Sequence, residues 1–107
     1  LLGSSAPREL HDSVTAAALR APADAAIHAV TAMRDRADQT ARLSELRCPA
    51  LVVAGPEDVI MTVEDCRALA EAIPGGELAV LPHTGHLSNL EDPAAFNAAS
   101  EQFLARG

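Results

Sequence analysis

The chain has 107 residues and a mass of 11.1 kDa, enough for one small domain and too little for a multi-domain enzyme. Eight arginines, no lysine and 15 acidic residues give a net charge of -7, which repels phosphate backbones and anionic lipid headgroups and so argues against nucleic-acid and membrane partners. The hydrophobic share is 49%, but 23 of those residues are alanine, so side-chain bulk for a core is scarce.

No window reaches the roughly 20 apolar residues of a membrane span, and the N-terminal stretch lacks the basic-then-apolar order of a signal peptide. The expected location is cytoplasmic. A start at Leu1-Leu2-Gly3 without Met reads as a fragment of a longer chain. Two cysteines, Cys48 and Cys66, are too few for a disulfide scaffold and fall at apolar positions of predicted elements, where reduced core residues are expected.

Taken in chain order, residues 7–47 hold helical periodicity and no strand-like run. Pro7 opens a first helix with Leu10, Val14, Ala17 and Ala18 on one face; Pro22 opens a second with Ile27, Val30 and Met33. Arg34, Asp35, Arg36 and Asp38 form a mixed-charge exit, read as a solvated helix end. A shorter third helix is expected around Leu43 and Leu46. These apolar faces are narrow and rich in alanine, so the segment has to lean on something else.

The character changes at Cys48-Pro49. Ala50-Leu51-Val52-Val53-Ala54 is an uninterrupted apolar run, the signature of a strand buried on both faces. Thr62 stands three residues before Asp65, a capping-box spacing, and Cys66, Leu69, Ala70 and Ile73 follow at helical intervals until Pro74-Gly75-Gly76. A second apolar run ends at Leu81-Pro82, placing strands at 50–54 and 77–81 around a helix at about 62–73. Such a unit is a right-handed crossover with parallel strands. Asp92-Pro93 then caps a last helix, to about residue 105, in which Phe96, Ala99, Phe103 and Leu104 cover one sheet face.

In an open parallel sheet, reacting groups gather at the carboxyl ends of the strands. Two loops leave those ends here: Gly55-Pro56-Glu57-Asp58 and Pro82-His83-Thr84-Gly85-His86. Adjacent strands lie about 4.8 Å apart, so a carboxylate from one loop and an imidazole from the other can meet. A carboxylate on one ring nitrogen fixes the tautomer and leaves the other nitrogen as general base. On spacing alone the alternative stands beside it: Asp58 as a turn cap and His86 as a polar surface residue.

The stretch from Arg47 to Asp58, the stretch Ala68–Gly75 and the run from Leu81 to His86 resemble the C-terminal part of the α/β-hydrolase superfamily, where a strand ends in Gly-x-x-Asp and a later loop ends in Gly-His. Glu91-Asp92-Pro93-Ala94-Ala95-Phe96 is similar to the opening of that family's final helix. The resemblance implies an α/β fold: the C-terminal portion of a hydrolase sheet, a parallel βαβ plus final helix at 48–107, preceded by a helical segment at 1–47 derived from the end of a cap and its connection. It also implies that Asp58 matches the acid of a catalytic triad and His86 its histidine. His86-Leu87-Ser88-Asn89-Leu90-Glu91 is further similar to 3-oxoadipate enol-lactonases and carboxylesterase-like members, which points to a small ester or lactone substrate.

Two departures qualify the match. Val59-Ile60-Met61-Thr62-Val63 lacks the proline usual after the acid, and His83 stands where a small residue is commoner. His83-x-x-His86 has a metal-like spacing, but two histidines without further ligands make a poor zinc site, and no metal or cofactor is implied. The glycine before His86 favours His86 over His83 as the base.

The nucleophile is missing. A Gly-x-Ser-x-Gly turn occurs nowhere in the sequence; its nearest approach, Gly3-Ser4-Ser5-Ala6-Pro7, has proline where the second glycine belongs. Ser13, Ser44, Ser88 and Ser100 read as caps or solvent-facing hydroxyls, and His11 and His28 as ordinary helix residues. The expectation is the acid and base part of a serine-type hydrolase that works through an acyl-enzyme, with these 107 residues inactive alone and self-associating through an uncovered sheet edge. The alternatives are a dehalogenase, epoxide hydrolase or cofactor-free peroxidase on the same scaffold, or a non-catalytic α/β interaction module.

Overall fold

A computed structural model describes residues 1–107, and the element order follows from where prolines, glycines and apolar runs fall along the chain. Helix α1 (Arg8–Leu19) starts directly after Pro7, and α2 (Ala23–Asp35) directly after Pro22, each proline having the extended backbone that precedes a first helical turn. The third helix expected around Leu43 and Leu46 is one tight 3₁₀ stretch, Thr40–Glu45, with Leu46 just outside it. Six residues with one large apolar side chain, Leu43, offer too little apolar surface to hold an α-helix.

Strand β1 (Ala50–Ala54), helix α3 (Val63–Ala72) and strand β2 (Gly76–Val80) form the crossover, and the strands pair in parallel with Ala50 opposite Gly76 and Ala54 opposite Val80. β2 lies one residue earlier than the apolar run suggests. Leu81 is nonetheless buried and donates its N–H to the Ala54 carbonyl at 2.9 Å, so it continues the ladder without being in the strand. The start of α3 is fixed by a full capping box: Thr62 Oγ1 accepts from the Asp65 N–H at 3.1 Å, and the Asp65 carboxylate accepts from the Thr62 N–H at 3.0 Å. A short helix not anticipated from sequence, α4 (Ser88–Glu91), leads into α5 (Pro93–Arg106), which Asp92 caps by accepting the Ala95 N–H at 3.0 Å.

The core lies between the sheet and α3, where Ala54, Cys66, Ala70, Ile73 and Leu81 are buried. α3 packs on both strands, whereas α5 packs on β1 and reaches β2 through an Arg106–Glu77 ion pair. Several expectations need correction here. The strands are mostly half-buried, because two strands and their flanking helices cannot close both faces completely. Leu104 is 72% exposed, on the side of α5 turned from the sheet, while Phe96, Ala99 and Phe103 are half-buried. Cys48 is exposed: it precedes Pro49 in the connection ahead of β1, outside the layer that buries Cys66.

Neither α1 nor α2 contains a buried residue, and Leu19, Ile27, Val30 and Met33 stand more than half exposed. No helix is long and apolar enough to cross a membrane. Helices that bury so little are held only by local hydrogen bonds, which fray readily in water. Limited trypsin digestion is therefore expected to cut at Arg20, Arg34 and Arg36 well before Arg67 in α3; simultaneous cleavage at Arg67, followed by mass spectrometry, would contradict this division of stability.

Candidate active site

The site is built where the chain leaves β1 and β2. The two loops run so close together that a β-carbon on Gly55 would collide with the carbonyl oxygens of Thr84 and Gly85. One on Gly85 would lie 2.6 Å from the Leu1 carbonyl oxygen and 2.7 Å from the Gly3 nitrogen. Both motif glycines are thus required by backbone contact. The Glu57 N–H donates to the Thr84 carbonyl at 2.9 Å, stitching one loop to the other, and the buried Thr84 hydroxyl donates to the Leu81 carbonyl at 2.8 Å, closing the turn internally. His83 takes φ 60°, a left-handed conformation that turns the chain sharply before Thr84.

This crossing brings Asp58 to His86. Asp58 Oδ2 lies 2.8 Å from His86 Nδ1, while Oδ1 accepts the N–H groups of Ile60 at 2.8 Å and Met61 at 3.2 Å. The carboxylate is thereby held by three donors and has little freedom to turn. Only 7% of the Asp58 side chain is exposed, against 36% for His86, so the acid is covered and the imidazole faces solvent. An ionised carboxylate has no proton to give, so the hydrogen of this contact resides on Nδ1 and the lone pair of the neutral ring on Nε2. Burial pushes the Asp58 carboxyl up, but the His86 hydrogen bond, the Ile60 and Met61 amides and the histidine's charge outweigh it and hold the group below its ordinary range. Cys66 is driven the other way by burial, with the charges of Asp58 and Asp65 adding to it, so it stays a thiol.

His83 is exposed and takes no part in the contact with Asp58. Ser5 is exposed and makes no hydrogen bond to either member of the pair; Ser4, its neighbour, gives its hydroxyl to Glu57 Oε1 at 2.6 Å. Ser88, expected as a cap or a surface hydroxyl, is buried in the first turn of α4. The residue that sequence reasoning missed is Glu91. Given no role there beyond its place in two family-like stretches, it accepts backbone N–H groups from Gly3, Gly85 and Leu87. Its signal was a carboxylate one short helical turn beyond the histidine loop, close enough in sequence to fold back on it.

The family model described as "Serine hydrolase" matches residues 2–103. The chain is 31% identical over 104 residues to a protein of Pseudomonas syringae pv. syringae named "Putative carbamate hydrolase RutD", covering 97% of this chain and 40% of that one. It is 41% identical over 70 residues to 3-oxoadipate enol-lactonase 2 of Acinetobacter baylyi, covering 65% of this chain and 26% of that one. Among solved structures, a thermophilic esterase of Thermogutta terrifontis superposes with a TM-score of 0.67 at 36% identity, covering 69% of this chain and 27% of the esterase. The chain therefore spans between about a quarter and two-fifths of the length of these proteins. 

The depressed Asp58 pKa has a consequence for stability. A carboxyl whose folded value lies below its unfolded value of about 3.9 stabilises the fold above that pH and loses the contribution as pH falls through the lower folded value. Urea unfolding from neutral to strongly acidic pH is expected to show Asp58→Asn closing its stability gap to the parent chain below about pH 4. A gap independent of pH would contradict the coupling.

Proposed function

The chain belongs to the serine hydrolase family, and from that membership we propose that it carries the acid and the base of an acyl-transfer triad, Asp58 and His86, acting on a small ester or lactone. The single observation that supports this reading most is the 2.8 Å contact between Asp58 Oδ2 and His86 Nδ1. With Nδ1 protonated and held, Nε2 is the basic atom. It takes the proton of a serine hydroxyl as that oxygen attacks the substrate carbonyl, then delivers it to the departing alkoxide, and in the second half activates water against the acyl-enzyme. Asp58 orients the ring and stabilises the imidazolium formed in each half.

The serine belongs on a Gly-x-Ser-x-Gly turn, and these 107 residues contain none. None of the surface hollows includes Asp58 or His86, which is in keeping with a substrate pocket completed by the region that brings the nucleophile. On this reading residues 1–47 are the end of a helical cap and its connection, and 48–107 the part of the core that carries acid and base. The lactone or ester class is drawn from the enol-lactonase and esterase relatives.

Two results are expected. The 107-residue chain alone self-associates through its open sheet edges and hydrolyses no activated ester above background, since nucleophile and oxyanion hole are both missing. Gel filtration with an esterase assay on each fraction checks this, and stoichiometric labelling of Ser5 by a fluorophosphonate would overturn it. In a chimera where this chain replaces the aligned region of the Acinetobacter baylyi enol-lactonase, lactone hydrolysis is expected. There His86→Ala abolishes acylation, Asp58→Asn lowers kcat by about 10⁴ because the wrong tautomer is held, and His83→Ala changes little. Full turnover by the His86→Ala chimera would end the assignment.

A further inference from the structure

Three backbone N–H groups converge on one half-buried carboxylate next to the histidine. Glu91 Oε1 accepts from Gly3 at 2.6 Å and from Gly85 at 3.0 Å, and Oε2 accepts from Gly85 at 3.0 Å and Leu87 at 3.2 Å. Gly85 and Leu87 are the residues on either side of His86. The His86 N–H itself donates to the Leu1 carbonyl at 2.7 Å. Three consecutive amides are therefore anchored, two of them by Glu91, and the third by the N-terminal strip that Glu91 also holds through Gly3.

We propose that Glu91 is a positioning residue for His86, fixing the backbone on both sides of the imidazole so that Nδ1 stays on Asp58. Hydrogen bonds to an ionised acceptor are about twice as strong as neutral ones. A side chain's direction from its Cα follows the backbone that carries it, so clamping the amides at 85 and 87 limits where the ring can lie. His86 needs such support because its ring is the exposed partner, whereas the covered Asp58 is held by its own loop. Glu91 can supply it because α4 is a single turn: its own N–H bonds back to the Leu87 carbonyl at 3.0 Å, which folds the side chain toward the loop it came from. Gly85 has to be glycine for the same reason, since the N-terminal strip passes directly over it.

The proposal rests on the triad reading only in treating the positioned imidazole as the base, and its test does not use activity. In the full 107-residue chain, amide hydrogen exchange and the hydrogen-bonded Nδ1 proton of His86 are followed by NMR for the parent, Glu91→Ala, Glu91→Gln and Glu57→Ala. Glu91→Ala is expected to speed exchange at Gly85 and Leu87 by about tenfold or more and to broaden away the Nδ1 proton, with Cys66 and Ala70 in α3 unchanged. Glu91→Gln keeps the shape but turns an NH₂ group on one of the donors, so it gives the same pattern more weakly. Glu57→Ala frees Ser4 and leaves the Nδ1 proton in place. An undisturbed Nδ1 proton in Glu91→Ala overturns the proposal, as does loss of protection throughout the chain in both Glu91 variants. If the parent lacks the Nδ1 proton, the triad reading fails, and Glu91 then stands or falls on the exchange at Gly85 and Leu87.

Discussion

Everything at the site depends on how closely two loop backbones can pass. The loops after β1 and β2 cross with Gly55 against the Thr84 and Gly85 carbonyls, and the Glu57 N–H bonds across the crossing. A larger residue at Gly55 would force the two loops apart, and one at Gly85 would displace the N-terminal strip that lies over the histidine loop. The sheet sets the starting points, since Ala54 pairs with Val80 at the strand ends. The glycines then let the chain turn inward over those ends, and Asp58 and His86 meet because neither loop has room to go elsewhere.

Around that crossing the molecule is unevenly built. Only ten of 107 residues are buried, and they cluster under the two loops and between the sheet and α3. The acid half of the pair is held within its own loop by the Ile60 and Met61 amides. The base half stands on a loop anchored to the N-terminal strip and to Glu91 by contacts of backbone groups and a carboxylate. Carboxylates serve well here because one group can accept several amides at once, compensating for the scarcity of apolar bulk.

The fold was legible where local chemistry and tertiary context agree. The capping box at Thr62 and Asp65, the two apolar runs and the Asp92-Pro93 start each specify an element without help from distant residues, and each element is present with ends shifted by a residue or so. The pairing of Asp58 with His86 follows from the parallel arrangement of the strands, which the length of the crossover implies. What escaped was decided at long range. Cys48 looks apolar in sequence but lies outside the packed layer, and Leu104 keeps helical spacing yet misses the sheet. Glu91 carries only a faint mark of its role, its place just beyond the histidine loop, because its partners at Gly3 and Gly85 are backbone groups, and main-chain donors leave no trace in side-chain identity.

The central claim is that Asp58 fixes the His86 tautomer and leaves Nε2 as the basic atom. It is tested most directly by the ring ¹⁵N chemical shifts of His86 in alkaline buffer, compared between the parent chain and Asp58→Asn. The account predicts a protonated Nδ1 and an unprotonated Nε2 in the parent, shifting toward the opposite tautomer when Asp58 becomes an amide. A parent ring protonated on Nε2, or a tautomer mixture that the substitution leaves unaltered, would contradict it.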